Sequence, residues 1–508
     1  MDVVIGSGPA GVSVATALLA RGRKVLMIDG GKRLEADRAT ARDRLSANEP
    51  ARWSAADRTG WQAPQFATPP GQVRRFGSDF AMEPAAATFA DGSDPFLLRA
   101  SFAEGGLSNL WGSALLPHRA TDMAGWPIEA EDLAPHYRAI SAFLPIAGRV
   151  DDLQHLFPVP EMAGRAALPP SAQAERLLDR LAQAQNRLAA AGITAGQARQ
   201  AVATGCRLCG QCLHGCPWRL IWSATTEIDR LRRNANFSYR PGAIVHALQD
   251  RADGIDLRLL SGEVLAADRA FLGAGVLESA RILLASNIVS GLSLRDSAHG
   301  FLPFLHRWSA PRRPDRGPFH TLPQIFAELD APTISPFSVH AQIYSWNEFF
   351  EHDLVQTYAR RLPGSAPFFR ALARRLIVAQ IFLHSDQSAR ADLTLATDGR
   401  LMVRLRDNPA TRPAFDAAAR AYGRGLGAAG LTALMPARRL NPAGSSFHAG
   451  ATLPMARTPG PGQSDTLGRP HGLAHLHLVD ASCLPAIPAT TITLSVMANA
   501  HRIGSRAP

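Results

Sequence analysis

Asp2-Val3-Val4-Ile5-Gly6-Ser7-Gly8-Pro9-Ala10-Gly11 runs into the apolar stretch Val12–Ala20 and then into Val25-Leu26-Met27-Ile28-Asp29. The first four residues read as a short buried strand. The glycine-rich hexad reads as a turn, and apolar residues recur at helical spacing from Val12 to Ala20. Val25 to Ile28 is a second buried strand. In such a unit the glycines have separate tasks: the tight turn, close backbone approach to a pyrophosphate, and close helix–strand packing. The helix start offers free N–H groups to phosphate oxygens. Asp29, 23 residues after Gly6, is placed to accept from a ribose hydroxyl. Both strands, the helix and the acid are present in order, so the unit predicts a dinucleotide site in an α/β protein.

Working outward, Arg269-Ala270-Phe271-Leu272 repeats the strand-to-glycine pattern by entering Gly273-Ala274-Gly275, with a helix from about Leu277 to Leu284. Before it, Asn236–Tyr239, Ala243–Val245 and Ile255–Leu259 read as short alternating strands, and 160–200 as helix. Residues 296–440 are richer in proline loops and aromatics, with a hairpin from Ala391 to Arg406 turning at Asp398-Gly399. The aromatic and basic stretch from Phe349-Phe350 through Phe368-Phe369-Arg370 to Ile377 reads as a buried helix of this region. Docking to a membrane or an acidic partner is its alternative reading. The chain has 508 residues, 46% hydrophobic and 19% charged. That suits two or three domains with large cores and excludes a disordered or disulfide-dense chain. The net charge of +11 comes almost wholly from scattered arginine, with Lys24 and Lys32 the only lysines. A nucleic-acid surface would need a clustered stripe, so no nucleic-acid partner is expected. No secretory leader and no apolar run of membrane-spanning length is read. The expected location is cytoplasmic, or periplasmic as part of a translocated complex.

The last forty residues carry a family resemblance. Leu476–Pro485 reads as a strand ending in Asp480-Ala481-Ser482 before a proline turn, and Thr490–Arg502 as a helix. This is similar to the closing segment of the glucose–methanol–choline (GMC) flavin oxidoreductases. Phe447-His448-Ala449-Gly450-Ala451-Thr452 resembles that family's His-x-x-Gly-Thr motif, and Gly105–Gly112 its second glycine-rich flavin loop. The resemblance implies an α/β chain, α+β overall: a Rossmann-like FAD-binding domain with an interleaved substrate domain built on an antiparallel sheet plus helices. The flavin domain would be 1–120, 200–295 and 441–508, and the substrate domain 121–199 and 296–440. It implies FAD held by Gly6, Gly8, Pro9, Ala10, Gly11, Asp29, Gly106, Ser108, Asn109, Trp111, Val245, Ala274, Gly275, Asp480, Ala481, Thr491 and Ile492. Leu110 stands where some relatives attach FAD through histidine, so noncovalent FAD is expected. The implied reaction takes hydride from the carbinol carbon of an alcohol or sugar while His448 takes the hydroxyl proton, as a neutral imidazole can near pH 7. The family's second active-site position, usually His or Asn, is Thr491 here, which can hydrogen-bond a substrate oxygen but cannot act as the base. Gln342, Tyr344 and His384 are candidate contacts in the variable region. Two further readings are a decarboxylase-like flavin protein, which would need a long apolar tunnel, and a non-catalytic electron-transfer subunit.

Cys206, Cys209, Cys212 and Cys216 fall within eleven residues and precede Pro217. The spacing is that of the bacterial ferredoxin run. Four soft, anionic ligands this close repel one another unless a metal neutralises them. Some bacterial relatives that pass electrons to a cytochrome carry a cluster on three cysteines here, matching Cys206, Cys212 and Cys216. The expectation is an iron–sulfur cluster, 3Fe-4S or 4Fe-4S, passing electrons to an acceptor protein or quinone. Zinc and plain thiols or disulfides are the alternatives. Cys483 reads as a small buried residue.

Overall fold

The computed structural model describes residues 1–62, 80–82, 96–160, 162–308, 319–347, 351, 355 and 359–508. Around the first glycine turn lies a parallel five-stranded sheet, ordered Leu476–Leu478, Arg269–Leu272, Asp2–Ile5, Val25–Asp29, Phe237–Pro241. Its central strands are apolar on both faces, as a parallel sheet covered on both sides requires; Val3, Val4, Met27, Ile28 and Phe271 are fully buried. The helix Pro9–Ala20 packs against the last helix, Thr493–Arg506. They meet at Gly504, where a Cβ would lie 2.9 Å from Val14. An antiparallel meander, Val245–Arg251, Gly254–Leu259 and Val264–Ala267, leans on the helix Val276–Ala285. Phe237–Pro241, overlapping the stretch read as a short strand, is one. It forms the edge of the parallel sheet, with Phe237 paired to Val25.

The second layer is an antiparallel sheet ordered Leu431–Ala433, His299–His306, Leu376–Phe382, Val339–Tyr344, Ile325–Leu329, Ile193–Gln197, with Arg439–Leu440 also paired to His299–His306. The helices Ala172–Gln183 and Thr411–Gly427 bury Leu177, Leu181, Phe415 and Tyr422 against it. The fold is therefore mixed α/β. The stretch 160–200, read as helix throughout, ends in the strand Ile193–Gln197. The hairpin Arg390–Leu395/Leu401–Arg406 buries Ala391, Leu393, Leu401 and Val403 in the same apolar core as the parallel sheet. The chain thus returns to that core from within 296–440, and the helix Ala130–Ser141 does so from within 121–199.

Over its described helix, Ala366–Ala373, the buried-helix reading of 349–377 does not hold. Residues 348–350, 352–354 and 356–358 lie outside the described residues. The described helix Ala366–Ala373 buries only Ala373 and leaves Phe368 64% exposed. Among the described residues no helix is long and apolar enough to cross a membrane.

Several buried imidazoles make stability depend on acid. Burial holds His118 down to about 3 and His136, His320 and His384 down to about 4. Each is neutral when folded yet protonates near 6.5 once unfolded, so the unfolded chain takes up more protons as pH falls from 6.5. Burial works oppositely on Asp29 and Asp296, raised to about 7 and about 6, which gain protons in the folded state over the same range. Among these groups the four imidazoles outnumber the two carboxyls, so acidification from pH 6.5 to 5 should favour unfolding. Denaturant midpoints that stay level or rise on acidification from pH 7 to 5 would contradict this balance.

Candidate active site

The two strand-to-glycine junctions are pressed together. Gly6 has φ +99°, and a Cβ on it would sit 2.3 Å from Gly273 O; one on Gly11 would sit 1.9 Å from Gly6 O. Gly8, Gly106 and Gly275 are different. A Cβ on Gly8 or Gly275 would meet nothing within 4 Å, and one on Gly106 only Gly8 Cα at 3.6 Å. These three border a cleft whose wall also includes Gly6, Pro9, Ala10, Asp29, Val245, Ala274, Asp480, Ala481 and Ile492. The start of the helix Pro9–Ala20 opens into it. A cradle of glycine backbone at a helix start, left open by absent side chains, fits a dinucleotide pyrophosphate.

Asp29 accepts from Tyr239 Oη at 2.6 Å and from Ser7 Oγ; Ser7 Oγ also accepts from Gly105 N at 2.9 Å. The carboxylate therefore ties the first glycine turn to the second. Asp480 accepts from Ser279 Oγ at 2.6 Å and from Ser482 N at 2.9 Å, and burial raises its carboxyl above the usual range. Gly11 does not border the cleft; it packs helix against strand. Asn109 does not border it either. Its amide donates to Glu104 O and Gly106 O, bracing the loop from behind.

The cleft continues into a chamber of about 240 Å³. Pro9, Leu107, Phe447, Ile492 and Thr493 line both. Ser108, Trp111, His448 and Thr491 line the chamber. Phe447 has φ +59°, a left-handed turn that presents the next residue, His448, to the chamber. The loop is held from beneath by Asp296, which accepts from Gly444 N at 2.9 Å and Ser446 Oγ at 3.2 Å. The His448 ring stacks on Phe382, centroids 5.0 Å apart. Thr491 Oγ1 accepts from Leu116 N at 2.8 Å, which leaves its own hydrogen to donate. Ala451, where the family motif has glycine, keeps a left-handed φ of +55°.

Of the candidate contacts, Gln342 and Tyr344 line the chamber. His384 does not: its ring stacks on Phe337 at 3.7 Å and its Nδ1 accepts from Asp386 N. Sequence reading missed Asp296, His299, Gln380 and Asn441. His299 begins a strand of alternating apolar residues, a pattern that core histidines share, so nothing local distinguished it.

All four clustered cysteines line one small enclosed cavity of about 20 Å³, walled by Leu168, Val202, Leu220 and Leu322. Backbone N–H groups of Leu208, Gln211 and Thr321 point at the sulfurs of Cys206, Cys209 and Cys212. Burial raises all three thiols, Cys209 to about 12. None of the five cysteines is in a disulfide. Among the described residues no group of three or more His, Cys, Asp or Glu converges closely enough for a metal ion. The donor type and the N–H groups suit a thiolate-bound cluster, whereas the cavity as it stands has room for little more than a water. The neighbouring residue, Leu213, reaches the chamber wall. Over the loop lie the helices Ala36–Ser46 and Ala55–Gln62, with Trp53 stacked on Trp218 at 5.4 Å.

A parallel sheet with a glycine-cradled dinucleotide cleft, opening into a chamber with an imidazole at the seam, defines a cofactor-dependent oxidoreductase scaffold. Residues 391–500 match the family model described as GMC oxidoreductase. The likeness to the GMC oxidoreductases lies in that segment. The fold is also similar to the crystal structure of pyridoxine 4-oxidase from Mesorbium loti, with TM-score 0.60 at 16% identity, covering 99% of this chain and 98% of that one. No curated protein sequence gives a significant match.

The glycine geometry separates folding from cofactor binding. Gly8→Val adds bulk only to the open cradle, so the chain should fold normally yet retain FAD at least ~100-fold more weakly, about 2.7 kcal/mol. Gly11→Ala drives a methyl into Gly6 O and should cost about 3 kcal/mol or more of stability. Thermal midpoints and flavin release by fluorescence separate the two. Tight FAD in Gly8→Val would show that the pyrophosphate lies elsewhere.

Proposed function

We propose that the protein oxidises an alcohol, with FAD in the cleft, the substrate in the chamber and His448 as the base. The observation that carries this is the shared seam: one set of residues lines both spaces, and His448 and Thr491 border the chamber there. FAD bound in the cleft supplies the acceptor, its N5, for the hydride leaving the carbinol carbon. His448 takes the hydroxyl proton, with its ring held by Phe382 and its loop by Asp296. Thr491 donates its remaining hydrogen to the substrate oxygen, while Leu116 N–H fixes its orientation. The last helix begins at Thr493, and its N-terminal partial charge favours negative charge gathering at the seam. The decarboxylase-like reading is less well supported, because one chamber wall is a row of amide, imidazole and phenol groups.

A cluster on Cys206, Cys209, Cys212 and Cys216 would pass electrons singly to an acceptor, making the protein a dehydrogenase. Four thiols around one apolar cavity, with amides aimed at three of them, support this reading. The room they enclose is small, so binding would have to spread the four sulfurs outward.

His448→Ala should lower turnover by ~10²–10⁴, the usual contribution of a positioned base. Thr491→Ser should stay close to wild type, and Thr491→Ala should lose about tenfold, one hydrogen bond of ~1.4 kcal/mol. Equal large losses in His448→Ala and Thr491→Ala would assign Thr491 a chemical role instead.

Anaerobically prepared protein should contain iron and acid-labile sulfide. Cys212→Ser should remove both while leaving flavin reducible by substrate, with transfer to a one-electron acceptor slowed. Protein with about stoichiometric flavin and neither iron nor sulfide would return the cysteines to a structural role.

A further inference from the structure

The chamber wall opposite the flavin cleft is one face of the antiparallel sheet. Three neighbouring strands supply it: Gln342 and Tyr344, Gln380 and Phe382, His299 and Phe301. Gln342 pairs with Gln380, and His299 with Phe382, so these side chains form adjacent rows. Asn441 and Ser445 extend the row at its end.

The polar members are joined in a directed chain. Tyr344 Oη donates towards Gln342 Oε1 and Gln380 Oε1, each at 3.2 Å. Gln380 Nε2 faces His299 Nδ1, and Ser445 Oγ lies 2.9 Å from His299 Nε2. Ser445 gives its own hydrogen to Pro442 O at 2.5 Å, so at His299 its oxygen accepts. That arrangement puts the proton of a neutral His299 on Nε2 and leaves Nδ1 to receive the Gln380 amide. Asn441 Nδ2 lies 3.0 Å from the same Nε2, and with the amide reversed its oxygen would accept from that N–H. Phe382 stacks on His299 at 5.3 Å and on His448 at 5.0 Å, which couples the wall to the base.

The chemical content of this wall is narrow. Amides, a phenol and an imidazole both donate and accept, as hydroxyl groups do. Among the described residues lining the chamber there is no lysine, arginine, aspartate or glutamate. A carboxylate, phosphate or ammonium brought here would lose water without gaining a counter-ion. The aromatic faces of Phe301, Phe382 and Trp111 suit the C–H face of a compact ring.

We infer that the chamber selects uncharged, polyhydroxylated substrates, and that Gln380 and Gln342, with His299 as the residue that positions Gln380, determine this selectivity by binding hydroxyls remote from the reacting carbon. This rests on the alcohol-oxidising reading of the same site and specifies its substrate class.

The test uses the flavin-loaded full chain with three sets of probes. The first is neutral polyols (glycerol, sorbitol, myo-inositol, glucose). The second is charged counterparts (gluconate, glucosamine, glucose 6-phosphate). The third is simple apolar alcohols (hexanol, benzyl alcohol). Binding is read from the flavin absorbance change under anaerobic conditions, and turnover with an artificial acceptor. At least one neutral polyol should bind and be oxidised, with kcat/KM on the order of 100-fold or more above every charged probe. His299→Phe should raise KM for that polyol about tenfold or more with kcat within about threefold, and Gln342→Leu, which leaves the His299 chain in place, should shift KM in the same direction. Preference for a charged probe, or for apolar alcohols over all polyols, overturns the substrate class while leaving alcohol oxidation standing. A fall in kcat at unchanged KM in His299→Phe overturns the role given to His299. If no alcohol reduces the bound flavin, the alcohol-oxidising reading itself fails, and this inference with it.

Discussion

The contact between Gly6 and Gly273 is the constraint on which the rest of the structure depends. Two parallel strands, Asp2–Ile5 and Arg269–Leu272, end side by side, and their turns approach until there is no room for a Cβ between them. That closeness brings the start of the helix Pro9–Ala20 to the strand ends, where free N–H groups face the cleft. Gly11 repeats the constraint one turn later by packing on Gly6. With these glycines in protein contact, the remaining ones can stay open: Gly8, Gly106 and Gly275 face space that only a ligand would fill. The cofactor cradle is thus produced by two kinds of glycine doing opposite things.

From that cradle the structure builds outward by layers. The second glycine loop is bound to the first through Ser7 and Asp29. The last helix packs along the first and carries Thr491 and Ile492 to the seam. The antiparallel sheet closes the far side with a face that carries Gln342, Gln380 and His299 at the chamber and the buried Glu328–His340 pair beyond it. Its other face is sealed by Tyr422, Phe415 and their helices, so the chamber wall is rigid and its rows of side chains keep register.

The cysteine loop is attached to the same frame rather than to a domain of its own. Gly210 N donates to Phe319 O at 3.0 Å and Phe319 N to Leu208 O at 3.0 Å, which anchors the loop beside the chamber. Cys212 lines the thiol cavity while Leu213 lines the chamber, so one turn of chain faces both. A change at the thiols is one residue from the chamber wall.

Residues 2–29 were legible because a parallel βαβ unit is local: strand, turn, helix and acid lie within one short segment, and the glycine spacing follows from the turn itself. Strand Arg269–Leu272, the hairpin at Asp398-Gly399 and the closing helix were legible for the same reason, each carrying its own periodicity and turn residues. The cysteine run was visible as a ligand spacing, though spacing does not say how far apart the sulfurs come to rest. What local pattern could not supply is adjacency across the chain. Gly8 and Gly11 belong to one motif, yet only packing shows that one is open and the other closed. Asn109 sits in the flavin loop, yet its amide turns away to bind backbone. His384 and His299 look equivalent in sequence, each a histidine at the end of a strand. The register of the antiparallel sheet puts His299 beside Gln380 at the chamber, while the turn after Phe382 buries His384 against Phe337. Sequence by itself determined the cofactor-binding frame, because that frame is made of short-range backbone geometry. The tertiary structure alone decided the chamber wall, because it is assembled from strands far apart in the chain whose side chains meet only through pairing.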